Sequence, residues 1–260
     1  DRPKTLVQEP RRPDRQYEIS TYMATLTPRN YQIDFVDGVK DAMRENDTPA
    51  FTRICGYMPQ GSGKSVIISM IAVGAAAKGN DVLILSHRDE ILKQNFDKMQ
   101  RLGLTSAIVN AETRNIPEAQ VAIGMSQTIS VRIKNHKEWM EWLQHFNMII
   151  VDEAHEGTQT ELGKAVMGEL AKEQTKVLRL SGTPFNLLDD FKEDEIYTWD
   201  YVMEQRAKMS WDELHFGDPN PYASLPTLNI YTYDLGRLLH EFVDEDVAFN
   251  FREFFRVNES

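Results

Sequence analysis

Two short stretches of this 260-residue chain carry side chains whose types and spacing suit the handling of a phosphate with a divalent metal. The first is Met58-Pro59-Gln60-Gly61-Ser62-Gly63-Lys64-Ser65. Glycines let successive backbone N–H groups turn toward one anion, and a helix that starts at such a loop adds the positive end of its dipole. In that reading Gln60, Gly61, Ser62 and Gly63 line the anion and Lys64 reaches the β- and γ-phosphates of ATP. The Ser65 hydroxyl ligates Mg²⁺. Met58 stands where the strict phosphate-loop pattern has its first glycine, so a glycine-rich helix cap competes with this reading. The second stretch, Met148-Ile149-Ile150-Val151, is a buried-strand run that ends on Asp152-Glu153-Ala154-His155. At the tip of a strand parallel to the one before the loop, Asp152 can hold Mg²⁺ through water while Glu153 orients and deprotonates an attacking water. A solvated acidic turn explains an Asp-Glu pair alone, but it does not explain both stretches together. His155-Glu156 also opens a zinc-protease pattern, which fails because Gln159 occupies the second histidine position.

The elements needed to hold these residues are legible in the pattern around them. Thr27-Pro28 is a helix-start signal, and Tyr31, Phe35, Val39 and Met43 recur every four residues, which predicts a helix over 28–45. Beyond it, short apolar runs at 51–58, 81–86, 105–109, 120–124, 147–151 and 176–181 alternate with helical patterns near 64–78, 88–102, 136–145 and 160–172. That alternation predicts an α/β domain, a mainly parallel sheet covered by helices on both faces, with ligand loops at the carboxyl ends of the strands. Both chemical stretches fall at such ends.

With the Asp-Glu-Ala-His tetrad in place, the chain resembles the superfamily 2 helicases and translocases over residues 27–185. The resemblance implies a RecA-like first motor domain and roles for further residues. Pro28-Arg29-Asn30-Tyr31-Gln32 is similar to the family's adenine-reading element, with Gln32 on the adenine edge and Arg29 supporting it. Val82 to Arg88, followed by Leu92 and Gln94, resembles motif Ia. Gly124-Met125-Ser126-Gln127-Thr128 resembles motif Ib. Ser86, Arg88, Gln127 and Thr128 are thereby implied to touch the sugar-phosphate backbone of one strand, contacts that carry no base sequence. Leu180-Ser181-Gly182-Thr183-Pro184-Phe185 is similar to motif III, so Ser181, Gly182 and Thr183, with His155, are implied to couple nucleotide state to domain movement. This Ser-Gly-Thr-Pro-Phe form looks most like ATP-driven restriction-enzyme subunits and related repair translocases.

The formal charge of −11 argues against a nucleic-acid partner until its distribution is seen. Residues 1–185 hold 23 acidic and 23 basic side chains, and 186–260 hold 17 acidic and 6 basic, so the whole excess lies in the last part. Residues 1–26, rich in Pro and Arg, read as an arm or linker, and a chain that opens on Asp1 reads as cut from a longer one. Residues 186–260 read as an acidic, aromatic-rich extension leading toward a second RecA-like domain, with a strand at Leu228 to Tyr233 and a helix over 244–257. Its charge should keep it off nucleic acid, and Trp199, Trp211 and Tyr222 should hold it to the core or a partner. Gly236-Arg237 is a decoy for the family's arginine-finger motif, because Tyr233 and His240 replace its Gln and second Arg. Cys55 reads as a small buried hydrophobe, and no apolar run is long enough to span a bilayer. A cytoplasmic, ATP- and Mg²⁺-dependent motor acting on nucleic acid, DNA in preference to RNA, is the expected function. The alternatives are the ATPase subunit of a restriction-modification enzyme with a nuclease partner, a nucleotide-regulated nucleic-acid clamp, and a P-loop kinase.

Overall fold

Parallel strands buried on both faces favour unbroken apolar runs, and Val82–Leu85 and Met148–Val151 are such runs, while buried Arg179 interrupts the one at 177–180. In the computed structural model, residues 28–45, 52–152, 161–172, 174–183 and 188–227 are described. Seven parallel strands, β1 (Thr52–Tyr57), β2 (Val82–Ser86), β3 (Ser106–Val109), β4 (Val121–Met125), β5 (Met148–Val151), β6 (Lys176–Ser181) and β7 (Ile196–Thr198), form one sheet in the order β3-β4-β2-β5-β6-β1-β7. Successive residues point to opposite faces. Val82, Ile84, Val121, Ile123, Met148, Ile150, Leu178 and Leu180 join one core. Leu83, Leu85, Ala122, Ile149, Val151 and Val177 join the other.

Each core is closed by helices. Helix α1 (Asn30–Glu45) packs Tyr31, Phe35, Val36 and Val39 onto the first, beside α2 (Lys64–Ala77) and α3 (Asp89–Arg101). The second is covered by α4 (Ser126–Asn135), α5 (Lys137–Leu143) and α6 (Glu161–Leu170) through Ile129, Trp139, Leu143, Val166 and Leu170. Helix α2 is apolar around most of its circumference, with Ile67, Ile68, Met70, Ile71, Ala72 and Val73 all buried. Buried Cys55 is a free thiol within β1, and burial pushes its pKa up to about 11, as suits an unreactive core residue.

The six apolar runs form β1 to β6, and the five helical patterns form α1, α2, α3, α5 and α6. Three elements lack a sequence signal. Helix α4 begins directly at the end of β4, inside what the sequence reads as a strand-end loop. β7 is only three residues long, and α7 (Tyr201–Leu214) has a polar, weakly sided sequence. The sheet therefore gains a strand beyond residue 185, where the alternation in sequence stops. The expected strand at Leu228 to Tyr233 and helix over 244–257 lie outside the described residues. The chain divides into two compact units, Asp1–Leu225 and Pro226–Ser260, and the first is the one described here.

The segment after β6 is held to the first core by aromatic contact. Trp199 stacks on Tyr31 with ring centroids 4.1 Å apart and an interplanar angle of 4°. Its backbone N–H donates to the Tyr57 carbonyl at 2.9 Å, so strand pairing and ring packing act on one residue. Tyr222 is buried beside both rings, and Trp211 meets Tyr222 edge to face. Asp200 caps α7 by accepting from the Met203 N–H at 2.8 Å. These contacts match the expectation for Trp199, Trp211 and Tyr222. Trp199→Ala should destabilise the protein by about 2–3 kcal/mol, below the range for fully buried aromatics because the ring is half-buried. Phe216→Ser, at a side chain 98% exposed, should shift stability by less than ~0.5 kcal/mol. Urea unfolding of the two variants checks both values, and equal effects would show that the segment is not held by this stack.

Candidate nucleotide site

The carboxyl ends of β5, β6 and β1 are neighbours in the sheet, so residues far apart in sequence meet there. The loop 58–63 follows β1, Asp152 follows β5, and Ser181 ends β6. Met58, the residue in place of the pattern's first glycine, is wholly buried in the core and donates its N–H to the Ser181 carbonyl at 3.0 Å. The position is a core anchor, and a large apolar side chain serves it. Gly61 and Gly63 turn the loop with φ of 83° and 86°. Gly63 is the N-cap of α2, and a Cβ there would lie 2.5 Å from Gln32 Nε2, so conformation and space both require glycine. Buried Ser62 donates its hydroxyl to the Pro59 carbonyl at 2.7 Å, closing the turn, while Gln60 is exposed.

Lys64 starts α2 and points its Nζ back along the loop, donating to the Met58 carbonyl at 3.4 Å. Gly182 lies against the same group: a Cβ on it would be 3.3 Å from Lys64 Nζ and 3.4 Å from the Met58 oxygen. The Thr183 N–H donates to Ser181 Oγ at 3.1 Å. The 181–183 turn is thus shaped around the lysine and the loop. Asp152 is 6% exposed, and its N–H is taken by the Leu85 carbonyl at 2.9 Å.

Two residues of α3, missed in the sequence, reach the same place. Asn95 Nδ2 donates to Asp152 Oδ2 at 3.4 Å, and Lys98 Nζ donates to Ser65 Oγ. Burial lowers the Lys98 pKa, and the Asp152 charge opposes that shift. A signal for Asn95 existed: it is a polar residue on the buried face that also carries Leu92 and Met99. Ser65 and Asp152 offer a hydroxyl and a carboxylate, a hard oxygen set that fits Mg²⁺ held mainly by substrate phosphates and water. Among the described residues no group of three or more His, Cys, Asp or Glu could cage a metal ion. Glu153 and His155 lie outside the described residues.

The expected adenine element sits on the loop's outer side. Gln32 is 1% exposed, donates Nε2 to the Ser62 carbonyl at 3.1 Å and accepts the Arg29 N–H at 2.9 Å. The Tyr31 hydroxyl donates to the same Ser62 carbonyl, and burial raises its pKa. The Arg29 side chain turns away from Gln32: Nε donates to the Pro221 carbonyl and Nη2 to Ser224 Oγ, both at 2.9 Å. It ties this element to the segment after α7.

The two loops assigned to backbone contact are also side by side, because β2 pairs with β4 in a register that sets Ser86 opposite Met125. Arg88 is exposed at the N-cap of α3, with Gln127 exposed and Thr128 half-buried in the first turn of α4. Ser86 differs: it is 1% exposed, and its carbonyl accepts from Ser126 Oγ at 3.5 Å. A cavity of about 500 Å³ lies at the opposite, amino ends of the strands, lined in part by Asn80, Asn147 and Lys176, and shares no residue with these sites. No helix among the described residues is long and apolar enough to cross a membrane.

A parallel sheet with a phosphate-type loop after β1 and an acidic strand end two strands away defines a RecA-like domain of the superfamily 2 helicase class. Residues 25–186 match the family model described as Type III restriction enzyme, res subunit, and the chain belongs to that family. It is 29% identical over 174 residues to the "51.5 kDa protein" of Lactococcus phage (isolate 7-9), a match covering 66% of this chain and 32% of that protein. The chain thus spans about a third of the curated relative it matches. The fold is similar to that of S. cerevisiae Dbp5 bound to RNA and ADP BeF3, with a TM-score of 0.53 and 18% identity over 72% of this chain and 49% of that one. It is also similar to a nuclease-deletion mutant of the Type ISP restriction-modification enzyme LlaGI in complex with a DNA substrate mimic. That TM-score is 0.50, at 18% identity over 72% of this chain and 22% of that one.

Gly63→Ala should cost about 1–2 kcal/mol, the strain of a left-handed non-glycine residue, and force Gln32 from the Ser62 carbonyl. Gly168→Ala on α6, where a Cβ meets nothing within 4 Å, should instead gain about 0.5–1 kcal/mol. Denaturant titrations of both variants check the opposite signs.

Proposed function

We propose that this chain is the ATP-binding motor domain of a nucleic-acid translocase that acts on DNA in the cytoplasm. The reading rests on one observation above all: Lys64, Ser65, Asp152 and Gly182 converge at the carboxyl ends of three neighbouring strands. Lys64 contacts the β- and γ-phosphates while the loop N–H groups of 60–63 cradle them. Mg²⁺, when bound, neutralises the charge that develops on the transferred phosphoryl group. Ser65 and Asp152 would hold the metal, and Glu153 would remove the proton of the attacking water. Gln32 reads the adenine edge. Ser181, Gly182 and Thr183, of which Gly182 lies beside Lys64, pass the state of the γ-phosphate to the rest of the motor with His155.

Arg88, Gln127 and Thr128 hold the sugar-phosphate backbone of one strand, with the Ser86 turn supporting them. The core, which takes in β7 and the aromatic segment up to Leu225, works with a second RecA-like domain that supplies an arginine finger, and the acidic extension leads toward it. Membership of the restriction-enzyme family favours DNA over RNA and supports a second reading, in which the motor drives a restriction-modification assembly containing a nuclease.

Lys64→Ala should weaken binding of a fluorescent ATP analogue about ten- to hundredfold, the value of a charge-assisted phosphate contact. Unchanged affinity would move the nucleotide elsewhere. In a protein carrying both motor domains, Glu153→Gln should preserve ATP binding and slow hydrolysis by roughly 10²-fold or more. Steady-state phosphate release by the 260-residue chain alone should be very slow with or without DNA, since a facing arginine is worth about 10³–10⁵ in rate. Turnover of several per second, stimulated by DNA and abolished by Lys64→Ala, would refute the need for a second domain.

A further inference from the structure

One backbone carbonyl of the 58–63 loop is held by two side chains of α1. The Tyr31 hydroxyl donates to the Ser62 carbonyl, and Gln32 Nε2 donates to the same oxygen at 3.1 Å. Gln32 Nε2 also donates to the Tyr31 oxygen at 3.4 Å, so both hydrogens of this amide have acceptors inside the protein. Its other end, Oε1, accepts the Arg29 N–H at 2.9 Å. Tyr31, Gln32 and Ser62 are all buried, at 5%, 1% and 0% exposure. A glutamine that reads an adenine edge uses its carbonyl and its amide nitrogen together. Gln32 therefore reaches a base only by turning away from Ser62, and a buried carbonyl left without a donor is costly.

Tyr31 is fixed where Gln32 must turn. Trp199 lies flat on its ring at 4.1 Å, and Tyr222 packs beside both. The Trp199 Nε1 is buried with no hydrogen-bond partner among the described residues, so the indole is held by its faces. Helix α1 is pressed closely on β7: a Cβ on Gly38 would lie 2.7 Å from Tyr197 Cε1, and Phe35 meets the same ring edge to face. Arg29 bonds Pro221 and Ser224. The segment 196–225 thus grips α1 at positions 29, 31, 35 and 38 and leaves the Tyr31 hydroxyl one place to go. A ring needed only for packing would be served by phenylalanine, since the stack on Trp199 uses no hydroxyl.

We propose that Tyr31, clamped by Trp199, is a positioning residue for base recognition: its hydroxyl keeps the Ser62 carbonyl bonded while Gln32 turns to the adenine edge. The inference rests on the nucleotide-site reading and adds the group that lets Gln32 turn. The segment after β6 thereby acts on base recognition through Tyr31. With phenylalanine at position 31 the carbonyl has Gln32 alone, and reading a base would strand it. Gln32 then stays on the loop, the triphosphate binds as before, and the adenine adds little.

The test is competition against fluorescent N-methylanthraniloyl-ATP on the 260-residue chain, using ATP and tripolyphosphate, which has no base. Tyr31→Phe should weaken ATP about five- to thirtyfold, the range for a buried acceptor left unpaired, and tripolyphosphate by less than about twofold. Gln32→Ala should also lose affinity for ATP alone, and Tyr31→Phe added to it should change little further, because both residues act on one carbonyl. Trp199→Leu, which keeps apolar bulk and loses the stacked face, should weaken ATP selectively by about two- to tenfold. It decides the matter if the Tyr31→Phe protein does not fold. Equal losses for both competitors would make Tyr31 a structural pin of the loop and overturn the proposal. Unchanged ATP affinity, or losses that add in full in the double variant, would overturn it equally. Failure of the underlying reading looks different: Lys64→Ala would then bind both competitors as the wild type does, and the inference would fall with that reading.

Discussion

The placement of β6 between β1 and β5 is the constraint from which the rest of this site follows. Its register sets Tyr57 against Ser181 on one side and Val151 against Arg179 on the other, so three strands end at nearly the same height. Parallel strands cannot be joined by tight hairpins, and each crossover helix returns the chain to the opposite end of the sheet. Every carboxyl end therefore opens on the same side. Lys64, Asp152 and Gly182 meet because backbone ladders hold their strands, and no direct bond among the three is needed to bring them there.

Local sequence then adapts to that frame. Met58 shows how: a glycine is dispensable at the loop's first position because the side chain points into the core and its N–H is taken by Ser181. Gly63 has no such freedom, and Gly182 has little space. The first has a positive φ against Gln32, and a Cβ on the second would lie 3.3 Å from Lys64 Nζ and 3.4 Å from the Met58 carbonyl oxygen. Polar contact adds a second layer, since Asp152 is withdrawn from water and its Oδ2 accepts from Asn95 of α3. Burial of this kind makes a carboxylate a strong site for a cation, because less is lost to competing solvent.

The aromatic segment after β6 links the sheet to the start of α1. Trp199 is bound through its backbone to β1 and through its ring to Tyr31, and Arg29 reaches the 221–224 turn. Tyr31 in turn donates to the Ser62 carbonyl of the 58–63 loop. A chain of packed and hydrogen-bonded groups thus runs from α7 and the turn after it to the loop. Among the described residues Asp189, Asp190, Glu193, Asp194, Asp212, Glu213 and Asp218 are exposed, so their charge does not oppose that packing, while Glu204 is buried and its pKa is raised by burial.

By itself the sequence determined the alternation of strand and helix, both chemical stretches and the family, because each is written in contiguous residues. A buried parallel strand needs an unbroken apolar run, and a phosphate loop needs its glycines at fixed spacing, so both survive without knowledge of neighbours. Helix α4 was illegible because it starts on the residue directly after β4 with no loop between them, and β7 because three residues carry no period. The tertiary structure alone decided which strands are adjacent, and hence that Asp152 meets the loop across β6. It alone decided that Asn95 and Lys98 face that site, that Ser86 is buried while Arg88 is open, and that Arg29 bonds residues 221 and 224. These depend on pairing and packing between segments from 33 to 195 positions apart. Hydrogen bonds and burial over such separations are set by the sheet order, which no local pattern encodes.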